Sequence, residues 1–228
     1  MELDISSIGN AIVDVQFSIQ EDFVSKLKKM SIPKGSMTLI EAKEQANLIS
    51  LLKEGYGDPK LSCGGAATNS TVAASNFGSK CHFSCKVRND DLGMFYLDNL
   101  SKNHVLHSEL SSESSLSTGQ SVIMVTSDAE RTMCTYLGIS NLFSKDDLDK
   151  SAIKNSKYLF TLTFLPTVIM SQSFCTSFWG VKLLGVKFRV VSGITFSSSS
   201  EMFGSRPGNA KCISTCLFIG IVLNDAPQ

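Results

Sequence analysis

The chain has 228 residues, 43% hydrophobic and 18% charged, with 21 basic and 21 acidic side chains and no net charge. That length and composition fit one globular domain with a sizeable core, and charge neutrality argues against the basic stripe that nucleic-acid binding requires. No apolar run reaches membrane-spanning length; LFIGIVL at 217–223 is among the longest.

The opening stretch MELDISSIGN has neither the basic nor the apolar region of a signal peptide, so the cytoplasm is the expected compartment. Seven cysteines, at 63, 81, 85, 134, 175, 212 and 216, include no Cys-x-x-Cys pair. They are expected as reduced, packed thiols rather than as a metal site. His82, His104 and His107 have no carboxylate or cysteine at ligand spacing and are expected on the surface or in loops.

Residues 3–8 alternate and then meet Gly9, which predicts a first strand ending at Gly9-Asn10. In open α/β sheets, ligands sit beyond the carboxyl ends of the strands, and Asn10 and Asp14 fall just past such an end. A carboxylate accepts hydrogen bonds from two neighbouring hydroxyls and an amide both gives and accepts, so the pair suits a polyol or a ribose. The alternative is that Asp14 caps a turn and Asn10 bonds to backbone.

Helical periodicity covers residues 21–30 and 41–54, the second with a glycine stop at Gly55 and Gly57. Gly64-Gly65 then precede a helix of small residues over 66–77, closed by Gly78 where a left-handed residue is wanted. Lacking a Cβ, the pair lets a ligand lie against the chain at the helix N-terminus, where unpaired N–H groups point outward. Asn69 on the first turn could bond a hydroxyl. A tight turn with close helix packing explains the same glycines. The stretch is neither a P-loop nor a Gly-x-Gly-x-x-Gly fingerprint.

Residues 82–87 predict the next strand and 92–102 the next helix. Between them Asp90 or Asp91 is expected as an N-terminal helix cap. Strands over 120–126 and 132–137 are joined by Ser-Asp-Ala-Glu-Arg and read as a hairpin, with the charges at 128–133 expected as solvated turn charges. Strands alternating with helices imply an α/β domain with a largely parallel sheet, to which the hairpin is an added β element. Beyond residue 160 the character changes. Only 7 of the 42 charged residues lie at 161–228, and no helical or alternating period is sustained there.

In this order and spacing, GNAIVDV at 9–15, GGAATN at 64–69, KVRNDDLG at 86–93 and TGQSVIMVTSDAERTMCTYLG at 118–138 resemble the PfkB/ribokinase family of carbohydrate and nucleoside kinases. The last stretch is especially similar to the adenosine-kinase-like bacterial sugar kinases. The resemblance covers residues 1–160. It implies a ribokinase-like three-layer α/β/α fold with a mainly parallel sheet and a small β-sheet lid, with lid strands near 11–19, 37–40 and 118–138. Residues 161–228 would be a divergent tail, the C-terminal part of the fold being missing or replaced.

The resemblance also implies transfer of the γ-phosphate of ATP, with Mg2+, to a hydroxymethyl group of a sugar or nucleoside. By position, Asn10 and Asp14 would hold substrate hydroxyls, Gly64 and Gly65 would line the sugar, and Asn69 would add a polar contact. Met37 and Leu39 would touch the substrate or serve packing. Closure of the lid excludes competing water, and the lid can mediate a homodimer.

The chain departs from the family in several places. Cys85 and Arg88 stand where many members have glycine, and Thr161-Leu162-Thr163 replaces an acidic segment. The late Gly-Ala-Gly-Asp motif, source of the anion hole and the Asp base, does not occur in the 228 residues. Losing both groups costs phosphoryl transfer many orders of magnitude. The chain is therefore expected to be a truncated or frameshifted member without a catalytic residue and with most of the ATP site absent. A non-catalytic protein that binds a sugar or nucleoside, or dimerises through its lid, is the alternative.

Overall fold

The computed structural model describes the backbone of residues 2–110, 115–163, 181–183, 186–197 and 216–224, and the side chains of 2–110 and 115–161. The strands divide between two sheets. In the larger one, β1 (Leu3–Gly9) runs parallel to β5 (Cys81–Ser84) and β9 (Ser156–Thr163), and β6 (Leu106–His107) adds to β5. On the far side of β9 come β12 (Cys216–Asn224), β11 (Val186–Ser197) and β10 (Val181–Leu183), each antiparallel to its neighbour and described by backbone alone. β9 crosses residue 160 and stays in register with β1 as far as Leu162. Most of the expected tail, including Cys175 and Cys212, lies outside the described residues.

Alternation along the strands sorts the two faces of this sheet. Ile5, Cys81 and Phe83 point to the face covered by α3 (Ala66–Asn76) and α4 (Asp91–Lys102), where they pack with Ala67, Tyr96, Leu97 and Leu100. Ser6 and its register partner His82 point to the other face. There the His82 Nε2 lies 3.5 Å from Asp149, which caps the short α5 (Lys150–Lys154) through the Ala152 N–H. His82 is buried rather than on the surface, a correction to the sequence reading. Its position inside β5, between β1 and β6, decided this, and burial holds its imidazole below the usual pKa despite the nearby Asp149.

The second sheet has the order β3–β8–β7–β2–β4 and holds the predicted hairpin apart from the main sheet. Its strands are β2 (Ile12–Ser18), β3 (Met37–Leu39), β4 (Lys60–Gly64), β7 (Gly119–Val125) and β8 (Arg131–Tyr136). β4, which the sequence reading did not assign, pairs antiparallel with β2. One face of this sheet is apolar: Val15, Phe17, Val122, Met124 and Cys134 pack under Phe23 and Leu27 of α1 (Glu21–Lys29) and Leu48 and Leu52 of α2 (Ala42–Tyr56). Glu41 and Glu44 form a capping box that starts α2. Gly57, at φ +77, ends it near the predicted stop. The hairpin charges are not simply solvated. Lys34 bonds Glu21 and Asp128 at 2.8 Å each, tying the turn to the start of α1.

Four described cysteines, Cys63, Cys81, Cys85 and Cys134, are free thiols, and all four have pKa values pushed up chiefly by burial, Cys85 to about 12. No helix among the described residues is long and apolar enough to cross a membrane.

The second sheet joins the main one where chains pass close together, and one carboxylate anchors that junction. Asp90 caps α4 by accepting from the Gly93 N–H at 2.8 Å, as the sequence predicts for one of the two aspartates. It also accepts from the Thr118 hydroxyl at 2.7 Å and the Thr118 N–H at 2.9 Å, immediately before β7. Asp90→Ala removes the cap and leaves fully buried Thr118 without its acceptor. The expected cost is about 2–4 kcal/mol, read as a lower urea midpoint at unchanged slope.

Candidate functional site

The carboxyl end of β1 and the start of β2 bring the predicted residues to the junction of the two sheets. Asn10 is buried, and its amide donates to the Ser140 carbonyl at 3.2 Å and the Ser140 hydroxyl at 3.4 Å. That hydroxyl in turn donates to the Leu137 carbonyl. Asn10 thus ties the end of β1 to the 3₁₀ turn Gly138–Leu142 that follows β8, the backbone-bonding alternative that the sequence left open.

Asp14 lies on β2, opposite Ser62 of β4 and Ser121 of β7. It is half-buried, and desolvation raises its carboxyl pKa to about 6, with the charge of Arg131 opposing the rise. No hydrogen-bond donor among the described residues contributes to that shift. A carboxylate held partly out of water without a protein donor retains its accepting capacity for a ligand.

The two glycines serve different neighbours. A Cβ on Gly64 would meet the Asp14 carboxylate, 2.5 Å from Cγ and 2.7 Å from Oδ2. Gly65 has φ +96, and a Cβ there would stand 2.7 Å from the Asn10 carbonyl oxygen. Gly64 therefore leaves space for the carboxylate, and Gly65 lets the chain turn from β4 into α3 against the end of β1. Asn69 is exposed on the first turn of α3, where its N–H bonds the Gly65 carbonyl at 3.0 Å. Asn10, Asp14, Gly64 and Gly65 are contiguous, with Asn69 one helical turn beyond.

Strand register puts further groups on the Asp14 face of the second sheet. The row beside Asp14 holds Ser121 and Thr135, whose hydroxyls bond at 2.8 Å. The next row holds Gln16, Ile123, Met133 and Met37. Met37, Leu39 and Met133 are half-buried, so this face offers apolar surface beside the carboxylate. Sequence reasoning missed Ser140, which holds the Asn10 amide, and Thr68 and Tyr96, whose hydroxyls lie together beside the Gly64 carbonyl. Thr68 lies inside the quoted glycine motif, whereas Tyr96 carries no signal beyond helical spacing. Arg131 was read only as a turn charge, yet its field reaches Asp14.

The chain matches the pattern of the pfkB family carbohydrate kinases over residues 46–188. It is similar to ribokinase from Mus musculus, 30% identical over 89 residues that cover 39% of this chain and 28% of that protein. It is also similar to ribokinase from Dictyostelium discoideum, 32% identical over 104 residues covering 45% and 33% respectively. Among solved structures, adenosine kinase from Sinorhizobium meliloti superposes with a TM-score of 0.62 at 29% identity. A probable sugar kinase from Rhizobium etli gives the same TM-score at 28% identity. Both superpositions cover 71% of this chain and 47% of the other. The chain thus spans about a third of the curated relatives and about half of the solved structures that it matches.

Proposed function

The chain belongs to the pfkB family of carbohydrate kinases, and on that premise we propose that its described part is the sugar- or nucleoside-binding portion of an ATP-dependent phosphotransferase acting on a hydroxymethyl group. The observation that supports this most is Asp14. Its carboxylate is half-buried, has no hydrogen-bond donor among the described residues, and lies against Gly64 in the space that a Cβ there would fill. Two neighbouring sugar hydroxyls donate to the two oxygens, Asn69 adds a polar contact, and Gly65 lets the ring lie against backbone. Asn10 acts by holding the end of β1 in place through Ser140. Half-buried Met37, Leu39 and Met133 suit the flat face of a base or the apolar side of a sugar. β3 and β4 are the edges of this sheet, and a homodimer would pair there.

Mg-ATP, which the family implies, supplies the phosphoryl group. Mg2+ in such a site is held mainly by the nucleotide phosphates, waters and one or two carboxylates. With no Gly-Ala-Gly-Asp in the 228 residues, the proposal is binding without turnover by this chain. Titration of the purified chain with adenosine and with ribose in a calorimeter is expected to show saturable binding of at least one. ADP release is expected to stay at background. Absence of binding to both overturns the reading. Steady ADP release that disappears in Asp14→Ala overturns the claim of no turnover and places a complete enzyme in these residues.

A further inference from the structure

The glycine turn is held from behind by a residue 31 positions away from Gly65. Tyr96 of α4 is fully buried, and its hydroxyl lies 2.5 Å from the Thr68 Oγ1 and 3.3 Å from the Gly64 carbonyl oxygen. Those two partners flank Gly65, the residue whose backbone only glycine adopts without strain. The Thr68 Oγ1 also stands 3.2 Å from the position a Gly65 Cβ would take. One hydroxyl therefore spans the last residue of β4 and the first turn of α3, whereas the Ser70 and Thr71 hydroxyls bond the Ala66 and Ala67 carbonyls from within α3 and do not reach back to β4. The ring itself packs in the core with Leu97, Leu100 and Phe83. Burial raises the phenol far above its ordinary pKa, so it stays a neutral hydroxyl.

We propose that Tyr96 is a positioning residue for the ligand: its hydroxyl, bonded to Thr68 and Gly64, sets the glycine turn in the shape against which the sugar or nucleoside lies. The effect on ligand affinity rests on the function proposed above, whereas the effect on the turn does not. Tyr96 touches no ligand, because it is enclosed on the far side of the turn. Tyr96→Phe keeps the ring and removes only the hydroxyl, which separates positioning from packing.

The test uses the full chain with two readouts. Amide hydrogen exchange without ligand is expected to quicken about tenfold at residues 65–69 in Tyr96→Phe, and to remain unchanged along the rest of α4 and in β5. Calorimetric Kd for whichever of adenosine or ribose binds the native chain is expected to weaken about fivefold to tenfold. Unchanged exchange at 65–69 together with a Kd within twofold of native overturns the proposal. Exchange that quickens throughout the main sheet also overturns it, since a purely structural loss spreads in that way. If the native chain binds neither compound, the ligand part falls with the proposed function, and the exchange result alone then decides whether Tyr96 holds the turn. Should Tyr96→Phe not fold, Thr68→Val removes the partner hydroxyl from the other side and is read in the same two ways.

Discussion

Asp14→Asn is expected to abolish most ligand affinity while making the chain more stable at neutral pH. The isosteric amide keeps the shape beside Gly64 but replaces a charged acceptor. Each hydrogen bond to a charged group contributes roughly 1.5–3 kcal/mol, so losing two weakens Kd by about 100-fold or more. The stability effect has the opposite sign. Burial raises the folded carboxyl pKa to about 6, so the favourable contribution of Asp14 is fully present at low pH and is lost as pH rises through 6. At pH 7 the ionised group therefore destabilises the fold. With allowance for solvent screening of a partly exposed group, Asp14→Asn should gain about 1 kcal/mol there. The gain should shrink as pH falls from 6 toward the ordinary carboxyl pKa of 3.8 and vanish about one unit below it, where Asp14 is protonated in both states. Affinity of the native chain should fall about tenfold per pH unit below 6, because the ionised form accepts the hydroxyls; the asparagine variant should show no such slope. Urea melts at about pH 3 and about pH 7, either side of both carboxyl pKa values, together with calorimetry between them measure both effects. A destabilised Asp14→Asn at pH 7 would show that the carboxylate holds the fold together rather than waiting for a ligand.

Gly65→Ala is expected to be among the most destabilising single changes in the chain, and Gly64→Ala to be far milder on stability yet severe on binding. At Gly65, φ +96 is forced on a residue with a side chain, and the new Cβ lies 2.7 Å from the Asn10 backbone oxygen. The strained backbone alone costs about 1–3 kcal/mol. The clash adds to this, because neither strand end can withdraw without breaking β1 or β4 pairing. A total of about 3–5 kcal/mol is a large part of the stability of an ordinary domain. At Gly64 the clash is with the Asp14 carboxylate, a side chain that can rotate away. Its displacement costs the ligand its main acceptor and leaves the backbone intact. Urea midpoints should therefore fall mainly for Gly65→Ala, whereas Gly64→Ala should mimic the affinity loss of Asp14→Asn. Equal melting of the two variants would overturn this division of roles between adjacent glycines.

Much of the fold was legible because its cause is local. The end of α2 at Gly57 and of α3 near Gly78, the cap at Asp90 and the hairpin around Asp128 all follow from residue type and short-range period. β4 was missed because Lys60–Gly64 is short and pairs with β2 across more than forty intervening residues. β5 is shorter than predicted, Cys81–Ser84, and its only further neighbour among the described residues is the two-residue β6. His82 was misplaced because a histidine in a four-residue strand gives no sign of which sheet position the strand occupies.

By itself the sequence determined which residues can serve a polyol: a carboxylate at Asp14, a backbone free of Cβ at Gly64 and Gly65, and a family-like order of motifs. Tertiary structure decided what each of them touches. It placed Asp14 against Gly64 through the pairing of β2 with β4, turned the Asn10 amide toward Ser140, extended Asp90 from helix cap to anchor of the second sheet, and set the buried Tyr96 hydroxyl behind the glycine turn. The reason is physical: accepting and donating capacity belongs to a side chain, but burial, register and the direction of a hydrogen bond arise only when segments far apart in the chain are packed together.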